Sequence, residues 1–341
     1  MNVKRKWPWL AALLVVLTLA AAGCGGGEEA ATTGPGAATT GGPSIKVGLV
    51  TDIGGLNDRG FNSLANKGLE DAEAQLGVQG RVLESKSDAD YIPNLSELGD
   101  QGYDLIISVG FLMTDATAQA AKAYPDSTFA IVDSAFDPPL DNAQGLLFKE
   151  QETGCLVGVV GALTSKTGTI TWVGGQKIPP VDRFIAGYEF CAKKANPDIK
   201  VDGSYSQDFV DQAKCKEIAL DQISKGSDVV FQVAGGCGLG ALDAAKEKGV
   251  WGIGVDADQS FLGDHILTSA VKRVDVAVFK TIQSVQNGEK VGGGVTTFGL
   301  KEDGVGLGTV SPEVPQDVLD KADEFKKMIL DGSLQVPDTV D

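Results

Sequence analysis

Ile45-Lys46-Val47-Gly48-Leu49-Val50-Thr51, followed by Asp52-Ile53-Gly54-Gly55-Leu56-Asn57-Asp58-Arg59-Gly60-Phe61-Asn62, is the stretch on which the reading of the fold turns. The first part is a β-rich apolar run. The second is a polar loop with glycines. Beyond it, Phe61, Leu64, Ala65, Leu69, Ala72 and Leu76 recur at helical spacing. Strand, polar loop and amphipathic helix, in that order, open a βα unit.

The same alternation continues outward. Candidate strands fall at 45–51, 80–84, 105–109, 128–132, 169–173, 199–205, 229–233, 252–255 and 266–269, with amphipathic stretches at 61–76, 116–123, 181–194, 213–225 and 239–248. Apolar strands alternating with helices mean parallel sheets covered on both faces. The pattern breaks once, at 147–152, where a strand-like run leads straight into a helix ending near Thr164. We read this as the crossing between two α/β lobes, which suits 341 residues at roughly 150 per domain. Ligands of open α/β sheets bind beyond the carboxyl ends of the strands. The residues just past those ends are Asp52, Phe111, Asp133, Gly175, Phe209, Gly235, Asp256 and Lys272. Two lobes facing each other across such ends form a cleft able to close on a small molecule.

The formal charge is −17, and −20 without Lys4, Arg5 and Lys6 of the terminal segment (26 basic against 46 acidic residues). So acidic a chain is a poor partner for nucleic acid or for anionic lipid headgroups. The only histidine is His265, which disfavours His-based triads and multi-His zinc sites. No metal or cofactor is expected. Residues 1–24 run basic, then apolar over 7–22, then small at Ala21-Ala22-Gly23-Cys24. The apolar part is short for a membrane helix and suits a signal peptide. The small-residue ending resembles the bacterial lipobox, which implies a signal peptide over 1–23 and lipidation of Cys24. Residues 24–44, rich in Gly, Ala and Thr, read as a tether.

Within the opening loop, Asp58 or Asn57 can cap the helix. Capping alone does not account for Asp52, Phe61 and Asn62 together, which supply what a planar polar ligand needs: a stacking face, an acceptor and an amide. Gly236, Gly238 and Ala241 fit a dinucleotide pattern with Asp256 twenty residues on from Gly236. The alternative use of Gly235 and its neighbours is close backbone approach to a ligand. Lys272 reads either as a solvated lysine or as a donor to ligand hydroxyls opposite Asp256.

Several motifs together resemble the basic membrane protein family, substrate-binding lipoproteins of ABC importers that include purine nucleoside receptors. They are Asp52…Asn57-Asp58-Arg59-Gly60-Phe61-Asn62, Tyr124-Pro125-Asp126, Lys166-Thr167-Gly168, Val173-Gly174-Gly175, Arg183-Phe184…Gly187, Ala234-Gly235-Gly236, Gly254-Val255-Asp256-Ala257-Asp258-Gln259 and Thr268-Ser269-Ala270-Val271-Lys272-Arg273. The resemblance implies the type I periplasmic-binding fold, two α/β lobes joined by three hinge strands. It implies a pocket with Asp52 at the first strand's end, Phe61 as one aromatic and Phe209 as its counterpart, with Phe231 as the competing match. Asp256 and Lys272 would hold a ribose.

The expected organisation is one lobe from 45–148 plus about 274–300, and another from about 149–273 plus 301–341. The expected ligand-binding residues are Asp52, Asp58, Phe61, Asn62, Phe111, Phe209, Gly235, Asp256 and Lys272. Cys155, Cys191, Cys215 and Cys237 are even in number in an exported chain, which suggests two disulfides. Helices flanking the first strand of a doubly wound lobe share a face, which favours 155–191 and 215–237. The expected function is a monomeric, lipid-anchored, extracytoplasmic binding protein on the cell membrane. It would pass a nucleoside, with purines expected first, to an ABC permease. The alternatives are a sugar or other small polar ligand and, behind it, an exported nucleoside-processing enzyme.

Overall fold

The computed structural model describes residues 44–340. The expected signal segment, Cys24 and all but the end of the tether lie outside the described residues. Two six-stranded sheets make up the fold. The first contains β1 (Lys46–Val50), β2 (Gln79–Leu83), β3 (Leu105–Val109), β4 (Thr128–Val132), β5 (Ala143–Phe148) and, from far along the chain, β11 (Gly294–Phe298), in the order β11-β5-β4-β3-β1-β2. All its pairings are parallel. The second contains β6 (Thr169–Gly174), β7 (Lys200–Tyr205), β8 (Val229–Val233), β9 (Trp251–Asp256), β10 (Ile266–Lys272) and β12 (Val305–Leu307), in the order β12-β10-β9-β8-β6-β7. Only β12 runs antiparallel to its neighbour.

Helices cover both faces of each sheet. In the first, Val47, Leu49, Leu105 and Ile107 share a core with Ala65, Leu69 and Ala72 of α1 (Phe61–Leu76) and with Val278 and Ile282 of α8 (Val274–Gln286). Val50, Ile106, Phe129 and Ile131 face the other way, onto Leu95 and Leu98 of α2 (Tyr91–Asp100) and Ala120 of α3 (Thr114–Ala123). Burial on both sides explains why β3 reads as unbroken Leu-Ile-Ile-Ser-Val. In the second sheet, α4 (Glu150–Thr164), α5 (Pro179–Ala195) and α9 (Gln316–Leu330) share the first lobe's main core cluster. The opposite face is covered by α6 (Gln212–Ser224) and α7 (Gly235–Lys248). One disulfide joins Cys155 of α4 to Cys191 of α5, and the other joins Cys215 of α6 to Cys237 of α7.

The strand-like run at 147–152 divides differently from its sequence pattern. β5 stops at Phe148, and Glu150 and Glu152 occupy the first turn of α4, where carboxylates favour the helix N-terminus. Among the elements missing from the alternation read above are α2, α9, β11 and β12. β11 is an edge strand with exposed Val295, Thr296 and Thr297, and β12 is only three residues long, so neither shows a buried period. The apolar stripe of α9 (Val318, Ala322, Phe325) is regular but lies past the last strand of that alternation. The chain passes between the sheets at 148–150, 272–274 and 298–305. These crossings are bonded to one another: Lys149 N–H donates to the Phe298 carbonyl at 3.0 Å, and Arg273 N–H to the Gly304 carbonyl at 2.8 Å.

Candidate ligand-binding cleft

Parallel strands place all their carboxyl ends on one side, and the two sheets present those ends to a shared cleft. At the exit of β1, Asp52 N–H donates to Asn62 Oδ1 at 3.1 Å. Asp52 Oδ1 accepts from the Tyr91 hydroxyl and from Ile53 N–H. Burial lifts the Asp52 carboxyl above the ordinary carboxylate range, while these two donors hold it back. Asp58 serves the turn itself. Its Oδ2 accepts from Asn62 N–H at 2.7 Å, and its Oδ1 from Gly60 and Ser63 N–H at 3.0 and 3.1 Å. Both oxygens are occupied, so Asp58 holds Phe61 and Asn62 in place more directly than it offers itself to a ligand.

Two further carboxylates stand at strand exits in the left-handed backbone region, Asp133 after β4 (φ 68) and Asp256 at the end of β9 (φ 60). Asp133 Oδ2 accepts from Lys272 Nζ at 2.6 Å. The same ammonium donates to Glu150 Oε1 at 3.1 Å, and Glu150 Oε2 accepts from Arg183 Nε at 2.6 Å. Lys272 is 2% exposed, so the solvated-lysine reading fails. Burial pulls its pKa down, but Asp133, Glu150 and Asp256 pull harder and hold the ammonium above its ordinary value. Its Nζ also lies 5.0, 5.2 and 5.6 Å from the ring centres of Phe61, Phe148 and Phe184, a favourable placement for a desolvated cation. Asp256 Oδ1 and Asp133 Oδ1 are buried without a hydrogen-bond partner among the described residues. Burial pushes the Asp256 carboxyl up to about 7, with Lys272 opposing and Asp133, Asp58 and Glu150 adding to the rise. Burial likewise pushes Asp133 up to about 6 against the pull of Lys272.

The second lobe contributes Phe209, from the connection between β7 and α6, and Gly235 and Gly236 at the start of α7. Phe209 lies over Gly175, where any side chain would overlap its ring. Phe231, the competing aromatic, is fully buried in the core, 5.0 Å from the Tyr188 ring centre. Gly238 and Gly240 of the dinucleotide-like pattern are occupied with packing: a Cβ would run into the Gln232 side chain at the first and the Gln212 backbone at the second.

Asp52, Asp58, Phe61, Asn62, Phe111, Phe209, Gly235, Asp256 and Lys272 all line this one cleft. Its empty space is about 640 Å³ with the open mouth included. Sequence reasoning left Asp133 as a strand-exit residue and Phe184 as part of a motif, and the structure brings both into the lining. It left Arg183 in that same motif without a role and passed over Tyr91 and Glu150, whose parts depend on partners distant in the chain. The lobes also touch at the rim, where Gln259 Nε2 donates to the Arg59 carbonyl at 3.2 Å. Among the described residues no group of His, Cys, Asp and Glu is arranged to hold a metal ion, and no helix is long and apolar enough to cross a membrane.

Residues 45–340 match the sequence profile of the Bmp family, described as ABC transporter substrate-binding protein PnrA-like. The chain is 38% identical over 314 residues to the CD4+ T-cell-stimulating antigen of Listeria monocytogenes, covering 86% of this chain and 88% of that protein. It is 36% identical over 315 residues to the ABC transporter nucleoside-binding protein BmpA of Lactococcus lactis, covering 86% and 89%. A crystal structure of an ABC transporter solute-binding protein from Aeropyrum pernix superposes with a TM-score of 0.81 at 30% identity, covering 87% of this chain and 94% of that one. The two-lobed architecture is that of type I periplasmic binding proteins, and the family's part in transport is to bind a solute. The chain belongs to the PnrA-like family of ABC transporter substrate-binding proteins.

Proposed function

We propose that the protein captures a nucleoside between its lobes and delivers it to an ABC permease, working as a monomer hung outside the membrane from a lipid on Cys24. The observation that carries this reading is the pairing, in one cleft, of an aromatic ring from each lobe (Phe61 and Phe209) with buried polar groups that lack full partners. A flat base suits the rings. Ribose hydroxyls suit the Asp256 carboxylate and the remaining Lys272 N–H. Asp52 and Asn62 suit the base edge. The Lactococcus relative, a nucleoside-binding protein by name, points the same way. Lobe closure about the three crossings would enclose the ligand.

For a ligand of about 20 heavy atoms at roughly −0.4 kcal/mol each, a dissociation constant about micromolar or tighter is expected. Phe61→Ala and Phe209→Ala should each weaken nucleoside binding by about 1–3 kcal/mol through lost burial and stacking. Calorimetry with adenosine, guanosine, inosine, cytidine, uridine and ribose is the measurement. Ribose binding as well as the nucleosides would move the assignment to a sugar. The cleft lining holds Asp52, Asp58, Asp133 and Asp256 against one cation, Lys272, which is already paired. A nucleoside monophosphate is therefore expected to bind more than about 100-fold more weakly than its nucleoside, since like charge in a desolvated site costs several kcal/mol.

The anchor has its own test. Cys24→Ala should release the protein from membranes into the soluble fraction, and a variant that stays with the membrane pellet would overturn the lipidation of Cys24.

A further inference from the structure

The Cys215–Cys237 disulfide does not line the cleft, but it borders the segment that presents Phe209. That segment, residues 206–211, connects β7 to α6. Cys237 sits in the first turn of α7, just after the lining glycines Gly235 and Gly236, and its N–H donates to the Phe209 carbonyl at 3.0 Å. Among the described residues this is the only hydrogen bond of the Phe209 backbone. Cys237 Sγ lies 3.6 Å from Ser206 Oγ, the hydroxyl that in turn ties down Asp208 through both its N–H and its carbonyl. At the far end of the segment, Asp211 caps α6 by accepting from Ala213 and Lys214 N–H, and α6 carries Cys215. Gln207 within the segment is a non-glycine residue at φ 57, a conformation that persists only where the surroundings impose it. Both sulfurs are buried, behind the segment that forms the cleft wall. The other disulfide, Cys155–Cys191, joins α4 to α5 within the main core and makes no such contact with residues 206–211.

We propose that Cys215–Cys237 is a positioning disulfide for ligand capture: by pinning the start of α7 to α6 it holds residues 206–211, and with them Phe209, in the ligand-competent arrangement before the ligand arrives. Ordering this wall in advance removes a cost otherwise charged to binding, and such gains appear mainly as slower release. The affinity part rests on the nucleoside reading of the cleft, whereas the positioning part does not.

The test compares the full chain with Cys215→Ala/Cys237→Ala and Cys155→Ala/Cys191→Ala. Hydrogen exchange of peptides spanning 206–214 needs no ligand, and stopped-flow release of guanosine reads the cleft. Loss of the 215–237 bond should speed exchange in 206–214 and guanosine release each by roughly tenfold, with little change from loss of the 155–191 bond. Phe209→Ala should then cost less in the Cys215→Ala/Cys237→Ala background than in the unaltered protein, because the two changes damage the same wall. Unchanged exchange in 206–214, or equal loosening in both pair variants, would overturn the proposal. The tightest-binding nucleoside of the calorimetry series replaces guanosine where guanosine does not bind; if none of them binds, the nucleoside reading falls and the exchange result still decides the positioning role. Should Cys215→Ala/Cys237→Ala fail to fold, Cys155→Ala/Cys191→Ala folded oxidised and then reduced provides the same comparison.

Discussion

Replacing Lys272 with methionine is expected to lower the folding free energy by about 3–5 kcal/mol, the usual consequence of removing one partner from a buried ion-pair network. Asp133 and Glu150 both take hydrogen bonds from this one ammonium, at 2.6 and 3.1 Å, and are 5% and 0% exposed. Without it Asp133 has no other cation within contact among the described residues, while Glu150 keeps Arg183. The loss should therefore fall mainly on Asp133. Its carboxyl, pushed up to about 6 by burial even with the lysine present, would rise further. A carboxyl raised in the folded state contributes stability that is complete below its unfolded value near 3.8 and is lost as pH climbs through the folded value. The Asp133 part of the variant's deficit should accordingly be absent below about pH 6, where the carboxyl is protonated in both folded proteins, and should grow as pH rises above it. Urea denaturation of wild type and Lys272→Met across this range is the measurement. A variant as stable as wild type at neutral pH would show that the network adds no stability over an apolar replacement.

Asp256→Asn is expected to stabilise the unliganded protein and to impair it as a receptor. The Asp256 carboxyl, pushed up to about 7 by burial, stands roughly three units above its reference value of 3.8. Its share of stability is present below pH 3.8 and is lost as pH rises to about 7, an effect of about 4 kcal/mol at most. Asparagine keeps the shape and does not ionise, so the variant should gain on wild type as pH rises through that window. Binding should move the other way. If ribose hydroxyls donate to Asp256, they select the carboxylate, so wild-type affinity should strengthen from about pH 6 to 8 with release of a proton. In Asp256→Asn that rise should vanish, and affinity at pH 8 should fall by about 1.5–3 kcal/mol, the worth of hydrogen bonds to a charged group. Calorimetry in buffers of different ionisation enthalpy reads affinity and proton release together. A variant that binds guanosine as tightly as wild type, with wild type flat across pH, would remove Asp256 from ligand contact. Asp133, Asp58, Glu150 and Lys272 all act on this carboxyl, so the same titration repeated in Lys272→Arg separates the Asp256 step from its neighbours.

The sequence by itself determined the two-lobed α/β architecture, because what encodes it is local. Runs such as Leu105–Val109, buried on both faces, cannot avoid reading as continuous apolar strands, and the stripe from Phe61 to Leu76 announces its helix. The same locality put Asp52, Phe61, Asn62 and Asp256 on view as site candidates, since a parallel sheet delivers every strand exit to one side. What only the tertiary structure decided is which groups satisfy one another. Lys272 meets Asp133 and Glu150, 139 and 122 positions away, and no pattern near Lys272 distinguishes that buried ammonium from a solvated one. Asp58 and Asp52 look alike in the opening loop, yet one has both oxygens filled by backbone N–H groups and the other keeps an oxygen free of donors among the described residues. Phe209 and Phe231 are both aromatic and near a strand end, and only packing sends one to the cleft and the other to the core. Periodicity reports which face of an element meets apolar surroundings, whereas hydrogen bonds and ion pairs form across elements whose meeting is decided by how the sheets and helices stack.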